Sequence, residues 1–198
     1  DVLEILYKNK IYNKYESDYY FVYNDSYGKE MSKFIKSNYI TIGSVKNNLF
    51  NISTNYKKNT LCYISRIPPL FYEYTMYKNI NKIKKKYAVW QVKLFEFCLE
   101  LITNLKNYCL SSNINLNIIG AMKNSEIESN CYKNLLGEKN WSFIPQGGPL
   151  SSYEKIDKFE ILVNPMSTLG YEAIARGKKV AFFSMDHCAG ANFGWPLI

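Results

Sequence analysis

The sequence contains a single histidine, His187, and lacks several short motifs that mark common enzyme classes. Neither GxGxxG nor GxxxxGK followed by Ser or Thr occurs, which argues against a nicotinamide-dependent dehydrogenase and a P-loop kinase. The Gly-x-Ser-x-Gly elbow of Ser-His-Asp hydrolases is also missing. Any imidazole that acts as a general base within these residues must belong to His187.

Closely spaced metal ligands are lacking as well. No Cys-x-x-Cys pair, Asp-x-Asp pair or His/Cys cluster with metal-ligand spacing occurs, so we expect no bound metal, no metal-dependent transfer and no cofactor. Several of the cysteines lie in apolar runs, where a free thiol behaves as a small core residue, and no disulfide framework is indicated. The five cysteines are Cys62, Cys98, Cys109, Cys131 and Cys188.

Long apolar runs are absent too. No stretch approaches the ~18–20 apolar residues that cross a bilayer, and the first ten residues carry charges where a signal peptide would be apolar. We therefore expect a soluble, cytoplasmic protein. Because the chain starts without Met and stops directly after a predicted loop, we also expect it to be a fragment, truncated at its C-terminus.

Basic residues outnumber acidic ones, 25 to 17, which gives a net charge of +8. Nearly all of the basic residues are lysines that accompany abundant Asn, Ile and Tyr, as compositional drift of a genome would produce, so we expect no nucleic-acid partner. One cluster of lysines stands out. It is either a solvated loop or a peripheral contact with anionic headgroups at the inner membrane. Its members are Lys78, Lys82, Lys84, Lys85 and Lys86.

The N-terminal part predicts one strand–helix–strand unit. Asp18–Asn24 is a predicted strand, Ser26–Lys36 an amphipathic helix, and Tyr39–Ile42 a second strand. The polar segment 45–59 has no sustained period and is a predicted linker. We therefore place the end of one Rossmann-like domain at residues 1–44 and a second domain at residues 60–198.

Short apolar strands alternate with helices in residues 60–198, which predicts an α/β fold with a Rossmann-like, doubly wound parallel sheet. Apolar residues recur at helical spacing from Leu94 to Cys109, so one helix is long and amphipathic. The predicted strands are Leu61–Ile64, Leu116–Ile119, Trp141–Ile144, Glu160–Val163 and Lys179–Phe183. The predicted helices are Tyr87–Leu110, Ser125–Leu136, Ser151–Phe159 and a short one that ends before Gly177.

That short helix offers an anion site. Asn164-Pro165 ends a strand, and Ser167 is a favoured N-cap. Unpaired N–H groups in the first turn, with the hydroxyls of Ser167 and Thr168, suit a diphosphate. Glu172 lies one turn on, on the same face as Thr168, where its carboxylate suits a sugar hydroxyl. The alternatives are an ordinary helix cap and a solvated acid.

Other polar residues follow the carboxyl ends of the predicted strands, where open parallel sheets bind ligands. Ser65 and Arg66 suit a diphosphate, although Arg66 is equally interpreted as a surface residue. The backbone at Gln146 and Gly147 permits close approach of a flat base, or forms only a turn. Asp186 and His187 are weak candidates for contact with a sugar or an acceptor, and a loop position without function is the usual alternative.

The run STLGYEAIARGKKVAFFS at 167–184, with SSYEKIDKFEILV at 151–163, resembles the C-terminal half of bacterial surface-carbohydrate or lipopolysaccharide biosynthesis proteins of the GT-B glycosyltransferase type. Weaker resemblance extends to 18–24, 42–48 and 193–196. The resemblance implies that residues 60–198 bind a nucleotide-sugar donor, with a Ser/Thr-led helix at the diphosphate and a Glu at the ribose. Ser167, Thr168 and Glu172 match those positions.

We therefore expect a metal-independent glycosyltransferase fragment that takes a nucleotide-sugar donor and a saccharide or lipid-linked saccharide acceptor. The fragment alone is expected to bind nucleotide without turnover, because the acceptor side comes mostly from the N-terminal domain. Two alternatives use the same fold, namely a polyol-phosphate transferase of the teichoic-acid type and a nucleotide-sugar 2-epimerase. A third, from another class, is a non-catalytic, membrane-associated binding module.

Overall fold

The computed structural model describes residues 5–6, 8–12, 14–66, 70–71, 73–74, 85–148, 151–165 and 167–183. The chain divides into two compact units, Asp1–Asn51 and Ile52–Ile198. This division lies inside the segment predicted as a linker, and the roles assigned to the two parts stay predictions. Asp186, His187 and Cys188 lie outside the described residues, as do Lys78, Lys82 and Lys84 of the lysine cluster.

The first unit contains a parallel pair of strands, β1 (Tyr15–Val22) and β2 (Ile35–Thr41), joined through helix α1 (Asp25–Met31). A short helix α2 (Val45–Asn48) follows. Helix α1 begins where it does because the Asn24 side chain accepts a hydrogen bond from the Tyr27 N–H at 2.7 Å. The first unit has a small core, formed by Leu6, Met31 and Phe34.

The predicted end of the helix in this region is wrong. The helix predicted to reach Lys36 ends at Met31, because Phe34 turns into the core and Ile35 and Lys36 pair with Tyr15 and Glu16 of β1. Hydrogen bonding between β1 and β2 here outweighs the helix propensity of Ile35 and Lys36. The predicted linker is partly regular, since it contains α2 and since β3 (Lys57–Ile64) starts three residues before Thr60.

The second unit is built on a five-stranded parallel sheet in the order β5-β4-β3-β6-β7. Besides β3, its strands are β4 (Asn115–Ile119), β5 (Trp141–Ile144), β6 (Phe159–Asn164) and β7 (Lys179–Phe182). The chain runs outward from β3 to β5 and then returns to the other side of β3. This order reverses between β3 and β6, as in Rossmann-like folds, where ligands bind at the carboxyl ends beside the reversal.

Helices cover both faces of this sheet. They are α3 (Val89–Ser111), α4 (Ser125–Leu136), α5 (Ser151–Ile156) and α6 (Thr168–Ala175). Residues of α3 and α4 share one core with Tyr63 and Val163. Asn164 points to the opposite face, because side chains alternate along a strand, and there it meets Gly170 of α6. The predicted Rossmann-like, doubly wound parallel sheet is therefore confirmed.

The sequence predicted several of these elements closely. Helix α4 and strand β5 have the predicted bounds, and the apolar face of α3 from Leu94 to Cys109 is buried. Helix α5 instead ends at Ile156, three residues early, because Asp157 is drawn into a buried ion pair and Phe159 opens β6. Four of the cysteines are buried free thiols, as predicted for core residues: Cys62, Cys98, Cys109 and Cys131.

Helix α3 is the longest helix among the described residues, with 23 residues. Its charged residues Lys93, Glu96 and Glu100 lie on the exposed face. None of the described helices is both long and apolar enough to cross a membrane.

Candidate functional site

Apart from Glu172 within α6, the predicted ligand-binding residues that the structure describes follow the carboxyl ends of strands in the parallel sheet. Arg66 comes after β3, Gln146 and Gly147 after β5, and Ser167 and Thr168 after β6. Because all strands are parallel, these ends lie at one edge of the sheet. Arg66, Gln146, Gly147 and Thr168 are exposed there.

Ser167 is the N-cap of α6, as predicted. Its backbone is extended (φ −114°, ψ 139°), and its Oγ accepts a hydrogen bond from the Leu169 N–H at 3.3 Å. The Gly170 N–H donates to the Ser167 carbonyl at 3.1 Å. The Ser167 hydroxyl still has its own proton to donate, and the exposed Thr168 begins the helix beside it.

Asn164 holds this turn in place, a role that sequence reasoning missed. The Asn164 side chain is 1% exposed. Its carboxamide donates to the Ser167 carbonyl at 2.7 Å and accepts from the Ser167 N–H at 2.8 Å. Both backbone polar groups of the N-cap residue are thus fixed by one buried side chain. The signal in the sequence, Asn before Pro at a strand end, indicated only a turn.

Gly170 makes room for that side chain. A Cβ at Gly170 would lie 2.1 Å from Asn164 Nδ2 and 2.5 Å from its Cγ, closer than any real contact. The glycine inside the first turn of α6 is therefore required by the buried carboxamide. A glycine lowers the stability of a helix, so its presence here is a sequence signal that could have indicated a close contact at this position, although not its partner.

Glu172 lies one turn into α6 and is half-buried. The Tyr153 hydroxyl on α5 donates to its Oε1 at 3.1 Å. Tyr153 itself is 3% exposed. Glu172 is thus held by its neighbouring helix and is not a fully solvated acid.

Ser65 is buried, unlike its neighbour Arg66. It is 3% exposed, and its Oγ lies 2.5 Å from Glu128 Oε1 and 2.7 Å from the Tyr132 hydroxyl oxygen. Glu128 is completely buried and also accepts from the N–H groups of Ala121 and Met122. The Ser65 hydroxyl therefore joins the ends of β3 and β4 through a buried carboxylate, and it is not presented to a ligand.

Lys155 is a cation beside the loop after β5 that sequence reasoning did not select. Its Nζ donates to the Pro145 carbonyl at 2.7 Å and to Ser151 Oγ at 3.0 Å. Burial, together with the nearby charge of Lys158, lowers the pKa of the Lys155 ammonium. Gly147 allows this arrangement, since a Cβ there would lie 2.4 Å from Ser151 Oγ.

A buried ion pair lies at the opposite, amino edge of the sheet. Arg176 donates to Asp157 through Nε at 2.9 Å and through Nη2 at 2.5 Å, and both residues are under 5% exposed. Asp157 also accepts from the Ser53 N–H at 3.0 Å. Lys178 donates to the Asp157 carbonyl at 2.6 Å. These contacts tie the segment before β3 to the starts of β6 and β7.

This network sets the protonation of its members. Burial alone would raise the pKa of Asp157, but the hydrogen bonds from Arg176 and Ser53 and the charges of Arg176 and Lys178 outweigh it and lower that pKa. The hydrogen bond to Asp157 raises the pKa of Arg176. Within the described ranges, no group of three or more His, Cys, Asp or Glu side chains is arranged to hold a metal ion.

The chain is similar to known proteins at two levels, a solved structure and a protein family. No curated protein matches it. A solved structure that it resembles is the pneumococcal O-GlcNAc transferase GtfA in complex with UDP and GlcNAc, with 18% sequence identity and a TM-score of 0.42 over 84% of this chain. The chain spans only 30% of the length of that protein.

The sequence resemblance to surface-carbohydrate biosynthesis proteins is confirmed by a family model. The model, described as "putative O-antigen biosynthesis protein", matches residues 2–198, which is nearly the whole chain. The protein therefore belongs to this family of O-antigen biosynthesis proteins.

Proposed function

We propose that this chain is the donor-binding part of a GT-B-type glycosyltransferase that uses a nucleotide-sugar in O-antigen synthesis. Family membership supplies the surface-carbohydrate context. The observation that carries the proposal is the start of α6, which follows the carboxyl end of β6 beside the point where strand order reverses. Parallel sheets of this order bind ligands at that place.

The donor diphosphate is assigned to the N-terminus of α6. There the helix dipole and the hydroxyls of Ser167 and Thr168 favour an anion. Glu172, one turn further on, is assigned to the ribose. Arg66 at the end of β3 is a bidentate donor for the same diphosphate. The backbone at Gln146 and Gly147 is assigned to the base, and Ser65 is assigned a supporting role through Glu128.

These assignments imply how the transfer is assisted. The acceptor oxygen forms a bond to the anomeric carbon of the sugar while the bond from that carbon to the nucleoside diphosphate breaks. Negative charge then grows on the diphosphate, and donors already aimed at it stabilise the transition state. In the proposal this needs no metal. The base for the acceptor hydroxyl is either one of the weak candidates Asp186 and His187 or lies in the acceptor domain.

The proposed acceptor is a saccharide or a lipid-linked saccharide, met in the cytoplasm or at the inner membrane. Lys85 and Lys86 are the described members of the lysine cluster, and Lys86 pairs with Glu73 at 2.6 Å. A polyol-phosphate transferase and a nucleotide-sugar 2-epimerase are the alternatives that share this fold. Products formed by the full-length enzyme from UDP-, CDP- and CMP-linked donors would separate the three.

The test of donor binding is calorimetric titration of the chain with UDP, CDP, GDP and ADP. At least one is expected to bind, and Thr168→Ala is expected to weaken it about 5- to 100-fold, as loss of a charge-assisted hydrogen bond of about 1–3 kcal/mol would. Thr103→Ala is the matched control, because the Thr103 hydroxyl bonds only within α3, to the Leu99 carbonyl at 2.8 Å. Absence of binding by all four nucleotides, or equal affinity in both variants, would overturn the proposal.

A further inference from the structure

The start of α3 presents two large apolar side chains to solvent. Val89 is 73% exposed and Trp90 is 59% exposed, and both lie in the first turn of the helix. Val89 is the most exposed large apolar residue in the described part of the chain. From Val92 onward, the apolar side of α3 is buried in the core that it shares with the sheet. Val89 and Trp90 therefore form an apolar patch outside this core.

Hydrogen bonds around the apolar patch fix the backbone that carries it. Glu73 Oε1 accepts from Lys86 Nζ at 2.6 Å and from the Tyr87 hydroxyl at 2.8 Å. The Gln91 side chain accepts from the Ala88 N–H at 3.1 Å, which holds the residue just before the helix. The apolar patch is thus presented by a bonded turn and the first turn of a long helix, and its exposure is not that of a loose end.

Positive charge accompanies the apolar patch. Residues 75–93 contain six lysines and no acidic residue. Lys85 is exposed just before α3, and Lys93 is exposed one turn after the apolar patch, on the same side of the helix. Neither of these two lysines has an ion pair among the residues that the structure describes. The first acidic residue of the helix, Glu96, comes almost a turn later still.

A lipid surface satisfies both parts of this arrangement. Indole rings reside at the level of the headgroups, at the boundary between water and acyl chains. Lysine stems cover apolar surface while their ammonium groups remain among the charged headgroups, and each contributes roughly fivefold to the affinity for an anionic surface. A nucleic acid would pair with the lysines but would leave the aliphatic Val89 in water. An anionic bilayer is therefore the partner that this surface fits.

We infer that residues 85–93 form a membrane-contact surface. In it Val89 and Trp90 enter the headgroup region of an anionic bilayer, while Lys85 and Lys93 bind lipid phosphate groups. The contact is peripheral, because only the first turn of α3 takes part. It does not depend on donor binding. Where the proposed function leaves the acceptor in the cytoplasm or at the inner membrane, this surface assigns it to the membrane.

The test is co-sedimentation of the full chain with phosphatidylcholine vesicles that contain about 30% phosphatidylglycerol, compared with pure phosphatidylcholine vesicles. Binding to the anionic vesicles is expected, and raising the salt from about 0.1 M to about 0.5 M should weaken it about 10-fold, because salt screens exposed charges. Trp90→Ala should weaken binding about 5- to 30-fold, since burial of the indole is lost. Lys85→Gln/Lys93→Gln should weaken it about 10- to 30-fold.

Two substitutions away from the start of α3 are the controls. Tyr108→Ala removes an aromatic side chain that is 53% exposed near the other end of the same helix. Lys139→Gln removes an exposed charge in the connection after α4. Both variants should bind the anionic vesicles as the native chain does. All of the substituted residues are exposed, and thermal denaturation of each variant reports its folding.

Tryptophan fluorescence tests insertion separately from attraction. The emission of the native chain should shift to shorter wavelength when anionic vesicles are added, because the Trp90 indole leaves water. Trp90→Phe keeps an aromatic ring at the surface but removes this indole, so the shift should be absent.

The outcomes separate this inference from the proposed function. No binding to anionic vesicles at low salt, or equal weakening in Trp90→Ala and Tyr108→Ala, would overturn the inference. Binding that is lost in the lysine variant but kept in Trp90→Ala, without an emission shift, would show attraction to any polyanion, RNA included, and would also overturn it. Titration of Trp90→Ala with nucleoside diphosphates should match the native chain, so either proposal can fail while the other stands.

Discussion

The two edges of the five-stranded sheet differ in the exposure of their polar side chains. At the amino edge Asp157, Arg176 and Lys178 are each at most 9% exposed, and they bond to one another and to Ser53. At the carboxyl edge Thr168 and Arg66 are exposed. Buried charges must find partners within the chain, whereas exposed polar groups stay available to a ligand. The amino-edge cluster is therefore bonded within the chain, whereas the carboxyl edge combines exposed polar groups with buried ones, Ser65, Glu128 and Asn164, that hold the loops there.

Strand β6 connects the two edges. Asp157 lies two residues before its first residue, Phe159, and Asn164 is its last residue. Both are buried, but Asp157 closes an ion pair, while Asn164 fixes the turn that presents Ser167. Substitutions at the two ends are therefore expected to separate folding stability from nucleotide affinity.

The largest expected effect is on stability at the amino edge. Arg176→Met leaves the Asp157 carboxylate buried without its partner, and such a change costs about 3–5 kcal/mol of the free energy of unfolding. Chemical denaturation measures this loss. Where the variant remains folded, its affinity for a nucleoside diphosphate should change far less than its stability.

The matched control removes the charges of the pair together. In Asp157→Asn/Arg176→Met the amide oxygen still accepts from the Ser53 N–H, and no carboxylate is left unpaired. The double variant should therefore be more stable than Arg176→Met alone. Equal or greater loss in the double variant would show that the ion pair is not the source of the stability.

A smaller effect is expected from Gly170→Ala at the carboxyl edge. The new methyl would overlap the Asn164 carboxamide, so the turn at Ser167 must shift, at a cost of about 1–3 kcal/mol in stability. Nucleotide affinity should fall as well, because Ser167 and Thr168 move. Gly148→Ala is the control, since a Cβ at Gly148 meets nothing within 4 Å. Unchanged affinity in Gly170→Ala would mean that this turn does not contact the ligand.

The smallest expected effect is a loss of folding stability at low pH. The pKa of Asp157 is lower in the folded state than its ordinary value near 3.8, mainly because the hydrogen bonds from Arg176 and Ser53 outweigh the effect of burial. Its contribution to stability is therefore complete above that ordinary, unfolded-state pKa and is lost as the pH falls through the lower, folded-state pKa. Denaturation midpoints measured from pH 6 downward should show this loss in the native chain.

The same measurement on Asp157→Asn/Arg176→Met provides the comparison. That variant lacks the titrating carboxyl, so its stability should fall less steeply in the same pH window. Parallel pH profiles for the two proteins would assign the acid sensitivity to other carboxyl groups.

The elements around the candidate site were predictable because local signals agree with the fold there. Ser167 as N-cap and Gly177 after α6 follow directly from capping preferences, and Gly177 has the expected positive φ of 76°. Helix α4 has the predicted bounds for the same reason, with Asn124 as its cap and Gly137 after its last residue.

Other features had no local signal. Burial of Ser65 depends on Glu128 and Tyr132, which lie 63 and 67 residues further along the chain. The end of α1 depends on pairing between β1 and β2, which helical periodicity does not reveal. Lys155 was not selected because nothing in its neighbours along the chain indicates that its ammonium reaches back to Pro145.

The sequence by itself determined the alternation of strands and helices, the cap of α6 and the family resemblance, because these depend on residues close together along the chain. Only the tertiary structure decided that Asn164 fits against Gly170, that Tyr153 holds Glu172, and that Ser65 is buried while Arg66 is exposed. These facts arise from contacts between separate elements. Burial and hydrogen-bond geometry exist only once those elements are packed together.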